Sequence, residues 1–174
     1  MSPKVVTTSG NYVPMRDGVI DEIEAGMTES EWTASVLHRP VIKVFNNITI
    51  PSLLQGGLPR GSESRIALPV SGDDNKAKQF LIGFLDAIGF DGIDAGPLSD
   101  SWRQQPGTPA YATDFDAAEL RTALASADRA RAPQMRDAGI TLLMSLPPDT
   151  PPQEIVRLAR SMWTDHRASE KFGV

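Results

Sequence analysis

Strand and helix signals alternate through the first hundred residues, and this alternation limits the chain to a layered α/β fold more firmly than any other feature. Residues 5–9 (VVTTS) are rich in β-branched side chains and read as a strand. Residues 10–14 leave it as a loop. Thr28, followed three residues later by Glu31, has the capping-box form that opens a helix, with Trp32, Ser35 and Val36 on one face. His38-Arg39-Pro40 closes that helix, because proline disfavours helical backbone at the residue before it. Residues 41–45 (VIKVF) form a second strand, and their near-continuous apolar character suits burial on both faces of a parallel sheet. Residues 51–55 predict a short helical turn and residues 56–61 a loop. Residues 65–70 are a third strand, with Pro69 placing it at an edge or near a strand end. Ser71-Gly72-Asp73-Asp74 opens the clearest helix, with Ala77, Leu81, Phe84, Leu85 and Ile88 at helical spacing and Gly89 as its stop. Residues 92–96 are a fourth, short strand.

After Pro97 the pattern changes. Residues 101–109 carry two prolines and a glycine and predict little regular structure. Residues 116–131 are alanine-rich and read as a helix with Leu120, Leu124 and Ala127 on one stripe. Residues 135–146 are helical or extended. Thr150-Pro151-Pro152-Gln153 repeats the capping-box form, and Ile155, Leu158, Ala159 and Met162 mark a last amphipathic helix. Residues beyond Trp163 read as frayed. The fold expected is therefore α/β: the last strands of a partial Rossmann-type sheet, mostly parallel or mixed, flanked by helices, with a helical C-terminal tail. The change at Pro97 divides the chain into residues 1–97, a Rossmann-like part, and residues 98–174, a loop and helical segment.

Composition removes several classes of function. The 174 residues suit one domain. Seventeen Lys and Arg against 22 Asp and Glu give a net charge of −5, and without a basic run no nucleic-acid partner is expected. No stretch reaches the roughly 20 apolar residues of a membrane span, and the first ten residues lack the apolar core of a signal peptide. The expectation is a cytoplasmic protein with no membrane partner. There are no cysteines, so a disulfide framework and a thiolate nucleophile are excluded. His38 and His166 are the only histidines, which excludes a multi-histidine metal site. Asp73 and Asp74 precede a helix and suit its dipole better than a metal ion, so no metal ligands are assigned.

The chemistry-bearing motifs are sparse. The glycine-rich strand-to-helix turn of dinucleotide sites is absent, and residues 56–61 have the wrong glycine spacing for it. No Gly-x-Ser-x-Gly elbow occurs, and neither histidine is placed as a general base, so an α/β hydrolase is set aside. Asn11 and Asn46 each fall just past the carboxyl end of an expected parallel strand, where open α/β sheets bind ligands. Their amides suit a carboxamide or ring carbonyl, and they equally suit turn chemistry. Trp102, Arg103, Gln104 and Gln105 make a dense polar and aromatic loop, fit to line a pocket or to pin a subunit contact.

These residues carry a resemblance. The segments RPVIKVFNNI, GSESRIALPVSGDDNKAKQFLIGFLDAIGFDGIDAGPLSDSWRQQPGTPAY and DFDAAELRTALASADRARAP, with VVTTSGNYVPMRDGVIDEIEAGMTESEW before them, resemble the NADP-dependent deazaflavin reductase family and its dinucleotide-binding relatives. The likeness covers about residues 4–133. It implies that the chain is the carboxyl-terminal part of an NAD(P)-binding oxidoreductase, starting at the fifth strand of the family's sheet and lacking its glycine-rich first half. It implies NADP(H) as cofactor, with Ser9, Asn11, Asn46 and Asn47 toward the nicotinamide. It places Trp102, Arg103 and Gln105 near the second substrate, a deazaflavin or similar acceptor. Hydride passes directly between cofactors in such enzymes, so no catalytic side chain is implied. A sheet missing its first strands exposes an edge, which leads to an expected homo-oligomer or a partner supplying the missing half. The competing expectation is a non-catalytic oligomerisation or interaction module, or a gene remnant, that has lost nucleotide binding.

Overall fold

The computed structural model describes residues 4–164. His166 and the other residues expected to fray lie outside that range, apart from Thr164. The fold is α/β, with two pairs of short parallel strands flanked by helices and a C-terminal helix. β1 (Thr7–Thr8) pairs in parallel with β2 (Ile42–Lys43), and β3 (Ala67–Val70) pairs in parallel with β4 (Asp91–Asp94). A single bridge joins the two pairs, in which Lys43 and Ser71 exchange both backbone hydrogen bonds.

The ladders are shorter than the β-branched runs suggest. The second strand ends early because Phe45 takes a left-handed conformation, with φ 65°, and turns the chain out of the sheet. Burial on both faces holds, since residues 41 to 44 are all at most 2% exposed. Pro69 sits on the side of β3 that faces away from β4. There the Ala67 N–H reaches Phe115 and the Ser71 N–H reaches Lys43, and Pro69 between them has no N–H to donate.

Pro14 begins α1 (Pro14–Asp17) inside the expected loop, and α2 (Asp21–Glu24) follows. The Thr28–Glu31 capping box forms with both reciprocal bonds and opens α3 (Glu29–Leu37). His38 ends that helix in the left-handed conformation. Val36 does not pack as its spacing suggests and stays exposed; the helix buries Glu29 and Ser30 instead. The reason is electrostatic, because Glu29 turns inward to meet Lys43 at 2.6 Å.

α4 (Ile50–Gln55) is the short helix expected after β2. α5 (Asn75–Ala87) is capped by Asp74, whose carboxylate accepts from the N–H groups of Lys76 and Ala77. Asp73 accepts from the Leu98 N–H. α5 buries Ala77, Lys78, Leu81 and Leu85. Phe84 and Ile88, expected inside, are exposed, because the buried stripe is rotated toward Lys78, which pairs with Asp94 on β4. Gly89 stops the helix with φ 97°, where a Cβ would collide with the backbone of Gly57.

A 3₁₀ helix (Leu98–Gln104) occupies a stretch expected to be irregular. α6 (Ala117–Ser126) ends earlier than its alanine content suggests, where Ala127 becomes extended. Residues 132–145 resolve as α7 (Ala132–Ser145), a helix, and α8 (Pro152–Thr164) follows. Thr150 does not form the box its sequence offers; its hydroxyl donates to the Pro147 carbonyl, and the helix begins at Pro152.

Two cores hold these layers. Ile42, Val44, Leu68, Val70, Leu81, Leu85 and Phe90 pack between α5 and the sheet. Ala67 and Ile93 pack with Leu120, Ala123 and Leu124 of α6 on the other face, so the second core crosses residue 97. No helix among the described residues is long and apolar enough to cross a membrane.

Candidate functional site

The carboxyl ends of β1 and β2 meet in a closed amide network. Asn46 is buried, and its Nδ2 donates to Asn11 Oδ1 at 3.0 Å and to the Gln104 carbonyl at 2.7 Å. Its Oδ1 accepts from Gln104 Nε2 at 2.8 Å. Asn11 Nδ2 returns a bond to the Asn46 carbonyl at 2.9 Å, and Ser71 donates to Gln104 Oε1 at 2.7 Å. Three segments of chain, after β1, after β2 and at the end of the 3₁₀ helix, are thereby tied at one point. Gln104 is fully buried and central, although its sequence context marks only a polar loop.

The other sequence-derived candidates divide around this network. Asn47 is buried and holds the 110–112 segment, with its Nδ2 donating to the Ala110 carbonyl and its own carbonyl accepting from the Ala112 N–H. Ser9 is exposed at the end of β1. Trp102, Arg103 and Gln105, which flank Gln104 in the chain, are half-buried. The Arg103 guanidinium stacks on the Trp102 ring, 4.7 Å from its centroid, and donates to the Leu124 carbonyl.

Beside the network opens a cleft of about 220 Å³, lined by Tyr12, Thr28, Trp102, Gln105, Arg129 and Arg136 among others. Arg129 lies over the Trp102 ring at 5.6 Å. Gln105 Nε2 is buried with no hydrogen-bond partner among the described residues, a donor left for something else to accept. Tyr12 is held by the Glu24 carboxylate and the Ile20 N–H. The cleft is therefore lined by two arginines, the Glu24 carboxylate, the arginine-stacked Trp102 ring and a spare amide. Arg129 and Arg136 gave no signal in the sequence, because only folding brings α7 and the segment before it against the 3₁₀ helix.

The layers and the network define the chain as an α/β protein with a polar site at the carboxyl ends of parallel strands. Known proteins add the following. No family model matches the chain. Over 82 residues it is 40% identical to the protein YjhV of Escherichia coli (strain K12), a match covering 45% of this chain and 60% of that one. Its fold is similar to the crystal structure of a hypothetical protein SMa0349 from Sinorhizobium meliloti, with a TM-score of 0.53 and 21% identity. That likeness covers 64% of this chain and 54% of the other, and bears on the fold alone. The chain thus spans little more than half the length of the relatives it matches.

Proposed function

We propose that the chain supplies the nicotinamide-facing part of an NADP(H)-dependent oxidoreductase, with a deazaflavin or similar flat acceptor as second substrate. The observation that carries the reading is the bonding state of Asn11. Its amide gives one hydrogen to the Asn46 carbonyl, and its Oδ1 takes one from Asn46 Nδ2. One amide hydrogen and one lone pair remain on this half-buried side chain. A carboxamide can accept from the one and donate to the other. Asn46 has both amide hydrogens committed, so it positions Asn11 rather than touching the ligand. Bound NADPH would supply the hydride itself, which suits a site without a nucleophile or general base. In the adjoining cleft, Arg129 and Arg136 attract an acidic substituent, Gln105 has a free donor, and the Trp102 ring holds Arg103 and Arg129 against it.

Calorimetric titration of the 174-residue chain with NADPH, with NADH as comparison, tests this. Micromolar binding is expected. Asn11→Ala removes two hydrogen bonds of about 1 kcal/mol each and weakens it roughly tenfold or more. No heat at millimolar NADPH, or equal binding by the variant, overturns the reading.

The second reading, an assembly module without nucleotide binding, is favoured by α5. Phe80, Phe84 and Ile88 recur every four residues, and 64%, 45% and 40% of their surfaces are exposed. Both readings lead to self-association through uncovered apolar surface and strand edges. Sedimentation across a concentration series is expected to show a dimer or larger species. A monomer throughout would remove the assembly reading and contradict the self-association expected of the first.

A further inference from the structure

Gly83 has no reason within its own fold to be glycine. It stands in the middle of α5, where glycine weakens a helix relative to any ordinary residue. An added Cβ there would meet nothing within 4 Å, and no positive φ calls for glycine. Gly83 is exposed, as is Ala87 one turn later, so the two cut a shallow notch in the solvent side of α5. Large apolar side chains stand beside the notch. Phe80, Phe84 and Ile88 expose roughly 300 Å² between them, taking about 200 Å² for a whole side chain of this kind. A contiguous apolar patch of that size is often functional.

We infer that a second copy of this chain covers the patch, with α5 packed antiparallel on α5 about a two-fold axis beside Gly83. The inference rests on the self-association that both readings above expect, and adds the surface and its geometry.

The spacing selects this occupant. When two such helices run antiparallel with Phe80 of one opposite Ala87 of the other, Phe84 falls opposite Gly83. Two-fold symmetry repeats both pairs, so each ring meets a small residue and the backbones can approach closely. A parallel pair would set Phe80 against Phe80 and leave the notch against itself. Charge agrees with the antiparallel choice. Lys76 lies one turn before Phe80 on the same stripe, exposed and without a hydrogen bond or ion pair among the described residues. Antiparallel packing carries its ammonium to the partner's helix C-terminus, where the helix dipole favours a cation. The acids at that end, Asp86 and Asp91, are already paired with Arg60 and Arg65. Two copies together remove roughly 600 Å² of apolar surface, which with a polar rim is the small end of specific interfaces. The dimer is therefore weak and reversible.

Sedimentation of the full 174-residue chain across a concentration series tests the surface with two variants. Phe80→Glu puts a charge on a largely exposed position and should weaken dimerisation at least tenfold with the fold intact. Gly83→Gln should also weaken dimerisation at least tenfold. In dilute solution, where the chain is monomeric, it should raise the unfolding temperature, because glutamine is the better helix former. A residue kept for the monomer's own fold would lower it. Cross-linking gives the geometry. The chain has no cysteine, so Gly83→Cys supplies the only thiol. Mild oxidation should join two copies through it, and Met144→Cys, exposed on α7, should not join them. A wild-type monomer at every concentration overturns the dimer along with the self-association expected above. Self-association that survives both Phe80→Glu and Gly83→Gln, with no faster cross-linking at position 83 than at 144, overturns α5 as the contact alone, since association then runs through other surfaces such as the strand edges.

Discussion

Lys43→Met is expected to remove about 3–5 kcal/mol of stability, a large share of the roughly 5–15 kcal/mol that holds a domain of this size together. The Lys43 side chain is fully buried. Its ammonium donates to Glu29 Oε2 at 2.6 Å and to the Gly10 carbonyl at 2.9 Å. Glu29 also takes hydroxyl bonds from Ser30 and Thr33. Burial lowers the Lys43 pKa from the usual lysine range, and the Glu29 carboxylate opposes that shift. Methionine fills a similar volume, so packing changes little. What changes is that a mostly buried carboxylate is stranded without its cation. The double variant Lys43→Met/Glu29→Gln removes both charges and should recover most of the loss. Urea unfolding checks this through the midpoint, with the slope unchanged. A single-variant loss below about 1 kcal/mol would mean that the pair is solvated in solution, as for an ordinary surface ion pair. The pair also matters to the proposed site. It clamps the Gly10 backbone, one residue before Asn11, and a Cβ at Gly10 would lie 2.5 Å from Glu29 Oε1.

Local signals in the sequence carried the elements, and long-range pairing decided the site. The Thr28 capping box, the Asp74 start and the Gly89 stop each depend on residues within four positions, and each is realised in the structure. Lys43 reads as the polar interruption of an apolar strand, yet it is among the most buried residues. Its partner lies 14 positions away on a helix whose own pattern pointed a different face inward. Gln104 reaches Asn46 across 58 positions, and Asp114 reaches Ser52 across 62. No periodicity encodes such meetings. The position of Asn11 and Asn46 past the strand ends was legible, because the strand pattern located those ends. That Asn46 would be saturated and Asn11 half-free was not, since it depends on Gln104. The exposed faces of Phe84 and Ile88 have the same origin: Lys78, pulled toward Asp94, sets the rotation of α5.

Gly107→Ala should detach α7 and α8 while leaving the sheet folded. Gly107 has φ 87°, which costs about 1–2 kcal/mol for alanine before any contact is counted. Its Cβ would also lie 2.0 Å from the Ala132 carbonyl oxygen and 2.6 Å from the Arg136 backbone nitrogen. Both are backbone atoms of the first turns of α7, so no side chain can swing aside to relieve the overlap. The helix must move. Little holds it in place, because Met135 is the only residue of α7 that is fully buried. α8 packs on α7 through contacts such as Met162 near Gly139, and should follow it. The core of Leu68, Val70, Leu81 and Leu85 lies in other elements and is untouched. Hydrogen exchange should then show protection lost across α7 and α8 and retained in β3, β4 and α5. Arg136 leaves the cleft with α7, so the acceptor side of the proposed site is lost while Asn11 keeps its partners. Uniform loss of protection would instead show that α7 and the sheet unfold as one unit. Unchanged protection would show that the close approach of Gly107 to α7 is absent in solution.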